Sequence, residues 1–214
     1  MLPLLHDFEG ETVLVFGGGE VGARKARRFA READTVVVSP DFADAEFGAA
    51  TRVRAAPDAD GVERWFDRAD PALVVAATDD ADLNAAIEQT ARTRGVLVNR
   101  ADRAGSRDAG SVVVPATVRD GPVVVAVGTD GRSPALSRHL RERMEPTVAG
   151  AGAMAELLAD LRADLKGQFP PATRRDALRA VVESDDVWKA LDTPGANAGT
   201  RASSVISDVT GDRT

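Results

Sequence analysis

The stretch Val13-Leu14-Val15-Phe16-Gly17-Gly18-Gly19-Glu20-Val21-Gly22 constrains the fold more than any other, because an apolar β-branched run breaks into three glycines and then opens a helical pattern. That order predicts strand, tight turn and helix. Gly17, Gly19 and Gly22 stand at the G-x-G-x-x-G spacing, in which one glycine makes the turn, one lets the backbone approach a pyrophosphate and one lets helix pack on strand. The helix that follows would present unpaired N–H groups and a partial positive charge to phosphates. A short glycine pattern can be a turn and nothing more. Between a strand and an amphipathic helix, the dinucleotide reading is the stronger one.

Downstream, the chain alternates strand and helix as a parallel sheet requires. Residues 35–38 form a β-branched run ending at Ser39-Pro40-Asp41, where such a fold usually carries the acid that binds the ribose 2′-hydroxyl. Here Ser39 takes that place and the first acid, Asp41, lies beyond Pro40, so preference for NAD over NADP is not secured by this position. A weak strand is expected over 52–55 and a short helix over 61–66, with Trp65 and Phe66 turned inward. Leu73-Val74-Val75-Ala76-Ala77 is the next buried strand. It stops at Thr78-Asp79-Asp80 before a helix over 81–94, with Asp79 or Asp80 as N-cap and Gly95 as its stop. Val96-Leu97-Val98-Asn99 then delivers Asn99-Arg100-Ala101-Asp102 to the sheet edge that holds the glycine turn, which is where open α/β sheets bind ligands.

After Gly110 the alternation ends. Residues 111–118 and 122–127 read as strands joined through Arg119-Asp120-Gly121, with Pro115 removing a ladder donor from the first. Ser133-Pro134 starts a helix expected to end at Glu145, before Pro146. A β unit this small exposes β-branched faces that call for a partner chain. Met154, Leu157, Leu158, Leu161 and Leu165 make one apolar helix face, and shorter helices are expected over 173–183 and 185–191. The expected division is therefore an α/β Rossmann-type domain over 1–110, a small β-hairpin/helix dimerisation domain over 111–147, a helical domain over 148–192 and a disordered tail over 193–214. Residues 1–12 are expected to be a docked, extended lead-in.

Composition excludes several chemistries. With no cysteine and only His6 and His139, thiolate zinc sites, disulfides and cysteine nucleophiles are ruled out, and no metal site is expected. A net charge of −7 argues against a nucleic-acid partner. No apolar run reaches spanning length and no leader pattern is present, so no membrane partner and a cytoplasmic location are expected. The Asp-rich, lysine-poor composition is halophile-like; a high-GC genome accounts for it equally well.

Taken together, the glycine loop, Ala76-Ala77-Thr78-Asp79-Asp80, Val98-Asn99 and Gly131-Arg132-Ser133-Pro134-Ala135-Leu136-Ser137-Arg138 resemble, in this order, the precorrin-2 dehydrogenase / sirohydrochlorin ferrochelatase family. The resemblance covers about residues 3–146. It implies NAD-dependent oxidation of precorrin-2 to sirohydrochlorin in siroheme (tetrapyrrole) biosynthesis, a Rossmann domain, an intertwined homodimer and a helical C-terminal domain. Ferrochelation of sirohydrochlorin, with Fe²⁺ as substrate, is left open by it. Carried over residue by residue, Gly17, Gly18, Gly19, Glu20 and Val21 match the pyrophosphate loop, and Asp41 and Phe42 the contacts to the adenosine half of NAD. Thr78 and Asn99 match positions lining the cofactor side of the cleft. Asp102, three residues after the motif asparagine, matches the catalytic aspartate. Two departures stand out: Arg100 replaces an apolar residue, and the stretch from Asn99 to Pro115 carries a few residues more than the family spacing. An earlier insertion would promote Asp108 instead; Asp102 is preferred because it follows directly from a strand end. Since the macrocycle is a polycarboxylate, Arg100, Arg132 and Ser133 are candidate substrate contacts, with Arg103 and Arg107 as further cations. The rival reading is a non-enzymatic NAD-binding regulatory domain, which needs the glycine loop but neither Asp102 nor the Arg132-Ser133 loop.

Overall fold

A computed structural model describes residues 3–103 and 110–211. They fall into two compact units: the chain up to Val114 with Asp130–Arg132, and Pro115–Thr129 with the chain from Ser133 onward.

The first unit contains β1 (Thr12–Phe16), α1 (Glu20–Phe29), β2 (Asp34–Ser39), β3 (Thr51–Arg54), a 3₁₀ turn at Ala59–Gly61, α2 (Val62–Ala69), β4 (Leu73–Ala76), α3 (Ala81–Arg94) and β5 (Leu97–Arg100). The strands form one parallel sheet in the order β3-β2-β1-β4-β5. The chain winds from β1 outward to β3, then crosses back to start again at β4. Consequently the carboxyl ends of β1 and β4 flank the point where the winding reverses, the usual ligand crevice of such sheets. Alternation along β1 fills both faces: Leu14 and Phe16 pack with Val62, Phe66, Leu83, Ile87 and Ala91 of α2 and α3. Val13 and Val15 pack on the other face with Ala23 and Ala26 of α1 and with Phe47. Asp80 caps α3 by accepting from the Asp82 and Leu83 N–H groups, and Gly95 ends it with φ +70°. A cap of this kind contributes about 1 kcal/mol.

The second unit contains β6 (Ala116–Asp120), β7 (Val123–Val127), α4 (Pro134–Val148), α5 (Ala151–Leu165), α6 (Pro171–Glu183), α7 (Asp185–Asp192) and α8 (Ala198–Thr210). β6 and β7 are an antiparallel hairpin turned at Gly121-Pro122, with Asp120 opposite Val123. Met154, Leu165, Ala177, Val181, Val187, Ala202 and Ile206 form the helical core.

Five expectations need correction. The 193–214 tail is not disordered through its length: Asn197 caps α8, and Ala202 and Ile206 are buried in the helical core. Packing supplies the stability that its Gly, Ser and Thr do not. The hairpin region and the helical domain are not separate, because the Gly152 N–H at the start of α5 donates to Asp120 Oδ2 at 3.0 Å and both belong to one unit. The 111–118 run divides near Pro115. Ser111 bridges Val98 in parallel and the Val112 N–H donates to the Val98 carbonyl, so these residues extend the first unit, while β6 begins only at Ala116. Helix α4 continues through Pro146 to Val148. The ring forgoes one backbone bond near the helix end, and the burial of Val148 at 5% exposure offsets that loss. In the lead-in, Phe8 packs edge-on against Phe29, but Leu4 and Leu5 are exposed rather than docked. None of the described helices is long and apolar enough to cross a membrane.

Candidate functional site

Gly17 leaves β1 at φ +111°, a conformation that favours glycine. A Cβ there would lie 2.3 Å from the Ala77 carbonyl oxygen, so the turn after β1 sits tightly on the chain leaving β4. At Gly22 a Cβ would meet the Gly17 carbonyl oxygen, and at Gly18 the Asp41 carbonyl oxygen and Ser39 Cβ. These three glycines are required by close packing of turn, helix and neighbouring loop. Gly19 differs: its φ is −72°, and a Cβ would meet nothing within 4 Å. It is the N-cap of α1 but makes no side-chain cap, so among the described residues no side chain caps the first N–H groups of the helix, where Glu20 and Val21 are exposed. Open space above uncapped, positively polarised N–H groups is what a pyrophosphate needs. The residues therefore fit a bound dinucleotide, with Gly17, Gly18, Gly19, Glu20 and Val21 to hold its phosphates.

The loop after β2 packs on the glycine turn. The Ala43 N–H donates to the Gly18 carbonyl at 2.8 Å. Phe42 meets Phe47 edge-on, and the Arg52 and Arg54 guanidinium groups lie 5.8 and 5.9 Å from the Phe42 ring centroid. Asp41 is exposed and accepts from Arg54 at 2.9 Å. Such an exposed pair contributes less than about 1 kcal/mol, so Asp41 stays available to a ligand. Ser39, at the strand end where an acid usually stands, is buried.

On the β4 side Thr78 is an organiser of the turn. Its hydroxyl donates to Asn84 Oδ1 at 2.8 Å, and Asn84 Nδ2 donates to the Thr78 carbonyl at 2.9 Å. Asn99 Nδ2 donates to the Val112 carbonyl at 2.8 Å, which fastens β5 to the chain beyond residue 110. Its Oδ1 is buried and has no partner among the described residues, leaving an acceptor at the sheet edge. Asp102 follows two residues past the buried end of β5. Its carboxylate is gripped by a fork: Arg100 Nε donates to Oδ1 at 2.8 Å and Nη2 to Oδ2 at 2.6 Å. The hydrogen bonds from Arg100 hold the Asp102 carboxyl below its ordinary value, against the opposing effect of burial. Asp102 is therefore ionised at neutral pH. The Asp102 backbone N–H and the Asn84 side chain add smaller hydrogen-bond contributions in the same direction.

Arg100 itself departs from expectation. Rather than reaching for an anionic substrate, its side chain is 6% exposed, and its remaining Nη1 donates to Glu88 Oε2 at 2.8 Å. An arginine at the end of a buried strand must find internal anions, because solvent cannot reach it. Arg103 is half exposed, with Nη1 3.6 Å from Glu88 Oε2. Arg107 and Asp108 lie outside the described residues. Ser133 is the N-cap of α4, accepting from the Leu136 N–H at 3.2 Å, and Arg132 is exposed in the loop before it. The glycine turn, Asp41, Phe42, Thr78, Asn99 and Asp102 thus belong to the carboxyl-terminal side of one sheet.

The sequence reading missed Asn84 and Glu88. Both lie on the inner face of α3 with Leu83, Ile87 and Ala91. Polar residues inside an otherwise apolar 3.6-residue stripe are the signal that could have marked them.

The sheet order and the glycine turn define a Rossmann-type dinucleotide-binding protein, and an NAD(P)-binding family model matches residues 4–116. A precorrin-2 dehydrogenase of Methanosarcina barkeri is 35% identical over 96% of this chain and 93% of its own length. The chain belongs to the precorrin-2 dehydrogenase family. A siroheme synthase of Stutzerimonas stutzeri is 37% identical over 81% of this chain, which spans 37% of that longer protein. Among solved structures, one titled SirC, precorrin-2 dehydrogenase superposes with a TM-score of 0.70 over 99% of this chain and 100% of its own, at 20% identity, and shares the fold.

Proposed function

We propose that this chain oxidises precorrin-2 to sirohydrochlorin, with Asp102 as its catalytic carboxylate and with Gly17, Gly18, Gly19, Glu20, Val21, Asp41, Phe42, Thr78 and Asn99 holding NAD. The reaction removes two electrons and two hydrogens from the macrocycle, one as hydride and one as a proton. NAD⁺, when bound, supplies the hydride acceptor. The chain's part is to bind, orient and take the proton. The observation that carries this reading is the Asp102 carboxylate held in the Arg100 fork at the carboxyl-terminal side of β5, following the buried acceptor Asn99. A carboxylate there can accept the departing proton or hold pyrrole N–H groups in place. Arg132, exposed, and Ser133 are proposed contacts to the macrocycle's acidic side chains; Arg100, buried and paired, is not.

A regulatory domain that only senses NAD would bind the dinucleotide without turnover. Steady-state assay of the purified protein with precorrin-2 and NAD⁺ separates the two. Repeated turnover, with NADH and sirohydrochlorin formed in equal amounts, is expected; NAD binding with no product overturns the proposal.

We further propose a homodimer and a cytoplasmic location. On α4, Leu136 and Leu140 are 47% and 37% exposed, and the β7 valines are mostly half-buried. Large apolar side chains left exposed on a unit this small support an association surface. Sedimentation at low micromolar concentration is expected to give the mass of two chains, and a stable folded monomer under those conditions contradicts it.

A further inference from the structure

Arg100, at the carboxyl end of β5, and Glu88, on α3, form a buried ion pair. Arg100 spends three of its donors on two carboxylates, Nε and Nη2 on Asp102 and Nη1 on Glu88. Glu88 is 9% exposed, and its other oxygen, Oε1, accepts from Arg92 Nη2 at 2.7 Å, four residues along α3. Arg103 adds a more distant cation on Oε2. Glu88 is thus anchored from α3, Arg100 is fixed at the end of β5, and the planar fork sets both the position and the rotation of the Asp102 carboxylate.

We propose that Glu88 and Arg100 form a buried charged clamp that positions the Asp102 carboxylate for proton transfer, which makes Arg100 a positioning residue of the reaction. The inference rests on the reading of Asp102 as the catalytic carboxylate. A carboxylate on a strand-end loop has free rotation about its side chain; the fork removes that freedom and so holds the group near its productive geometry. The clamp also keeps Asp102 ionised. Arg100 from β5 and Asn84 from α3 act on its charge directly, while Glu88 and Arg92 from α3 and Arg103 just beyond β5 are the charged groups around that pair.

The test is kcat, KM and the pH profile of Arg100→Met, Arg100→Lys and Glu88→Gln, with NAD affinity as the readout of an intact fold and Asp102→Asn alongside. In the native protein Arg100 holds the Asp102 carboxyl low, so the acid limb of activity is expected at a lower pH than an ordinary carboxyl would give. Without Arg100, burial raises that carboxyl, and the neighbouring Glu88 charge is expected to act in the same sense. Arg100→Met is therefore expected to lower kcat by about 10- to 100-fold, to leave KM and NAD affinity near native values, and to lose activity at a higher pH on acidification. Glu88→Gln removes a negative charge, so its acid limb is expected at or below the native one, the opposite direction from Arg100→Met. Arg100→Lys keeps a cation for Glu88 but has no fork, and is expected to lose kcat with a smaller shift. Should Arg100→Met fail to fold, the lysine variant alone decides. A folded Arg100→Met or Arg100→Lys with native kcat and native acid limb, beside an inactive Asp102→Asn, overturns the clamp while leaving Asp102 in place. Full turnover by Asp102→Asn overturns the reading of Asp102 and the clamp with it.

Discussion

Asp102→Ala is expected to slow sirohydrochlorin formation by about two to four orders of magnitude, the usual cost of removing a positioned acid/base group, while NAD binding persists. The glycine turn, the Asp41-Phe42 loop and Asn99 make their backbone and side-chain contacts without the Asp102 carboxylate, so its removal leaves them standing. The substitution strands two donors of Arg100, which keeps its bond to Glu88; the fold readout is therefore NAD affinity. Asp108→Ala is the companion variant, expected to keep most activity. Single-turnover absorbance decides: full activity in Asp102→Ala with collapse in Asp108→Ala would move the catalytic role to Asp108.

The second large effect is expected at Gly19. Because its φ is −72° and no atom lies within 4 Å of a Cβ placed there, Gly19→Val is compatible with the fold, apart from about 1 kcal/mol for a poorer N-cap. The valine side chain would occupy the space above the first N–H groups of α1, where the pyrophosphate is proposed to lie. NAD affinity is expected to fall by about 100-fold or more, equivalent to about 2.8 kcal/mol. Gly17→Val would not make the same test, since its φ of +111° and the 2.3 Å approach to Ala77 break the turn itself. Calorimetric titration of the folded Gly19→Val protein with NAD measures the loss, and native affinity contradicts the assignment.

The parts of the site that were legible in the sequence are those where backbone geometry dictates the residue. Gly17 and Gly22 stand where a Cβ would strike a carbonyl oxygen, Asp80 where helical N–H groups need an acceptor, and Gly95 where the helix turns left-handed. The Rossmann sheet followed from the same logic, since strands buried on both faces read as continuous apolar runs. Arg100 was misread because a charged residue in isolation reads as a surface arm. Its burial depends on two partners, Glu88 twelve residues earlier and Asp102, that only the folded sheet and α3 bring to it. The helix at 198–210 was hidden for a different reason. Its Ala202, Val205, Ile206 and Val209 do follow helical spacing, but they sit among small polar residues of weak helix propensity, and the segment is held by packing in the helical core. Pro146 misled in the same way, since local preference alone would end α4 three residues early.

The most direct measurement of the central claim is a single turnover, with enzyme and NAD⁺ in excess over precorrin-2 and NADH and sirohydrochlorin followed together by absorbance. The account predicts that both appear in equal amounts at one shared rate, and that this rate collapses in Asp102→Ala. Saturated NAD binding without either product, or sirohydrochlorin formed with no NADH, would contradict it.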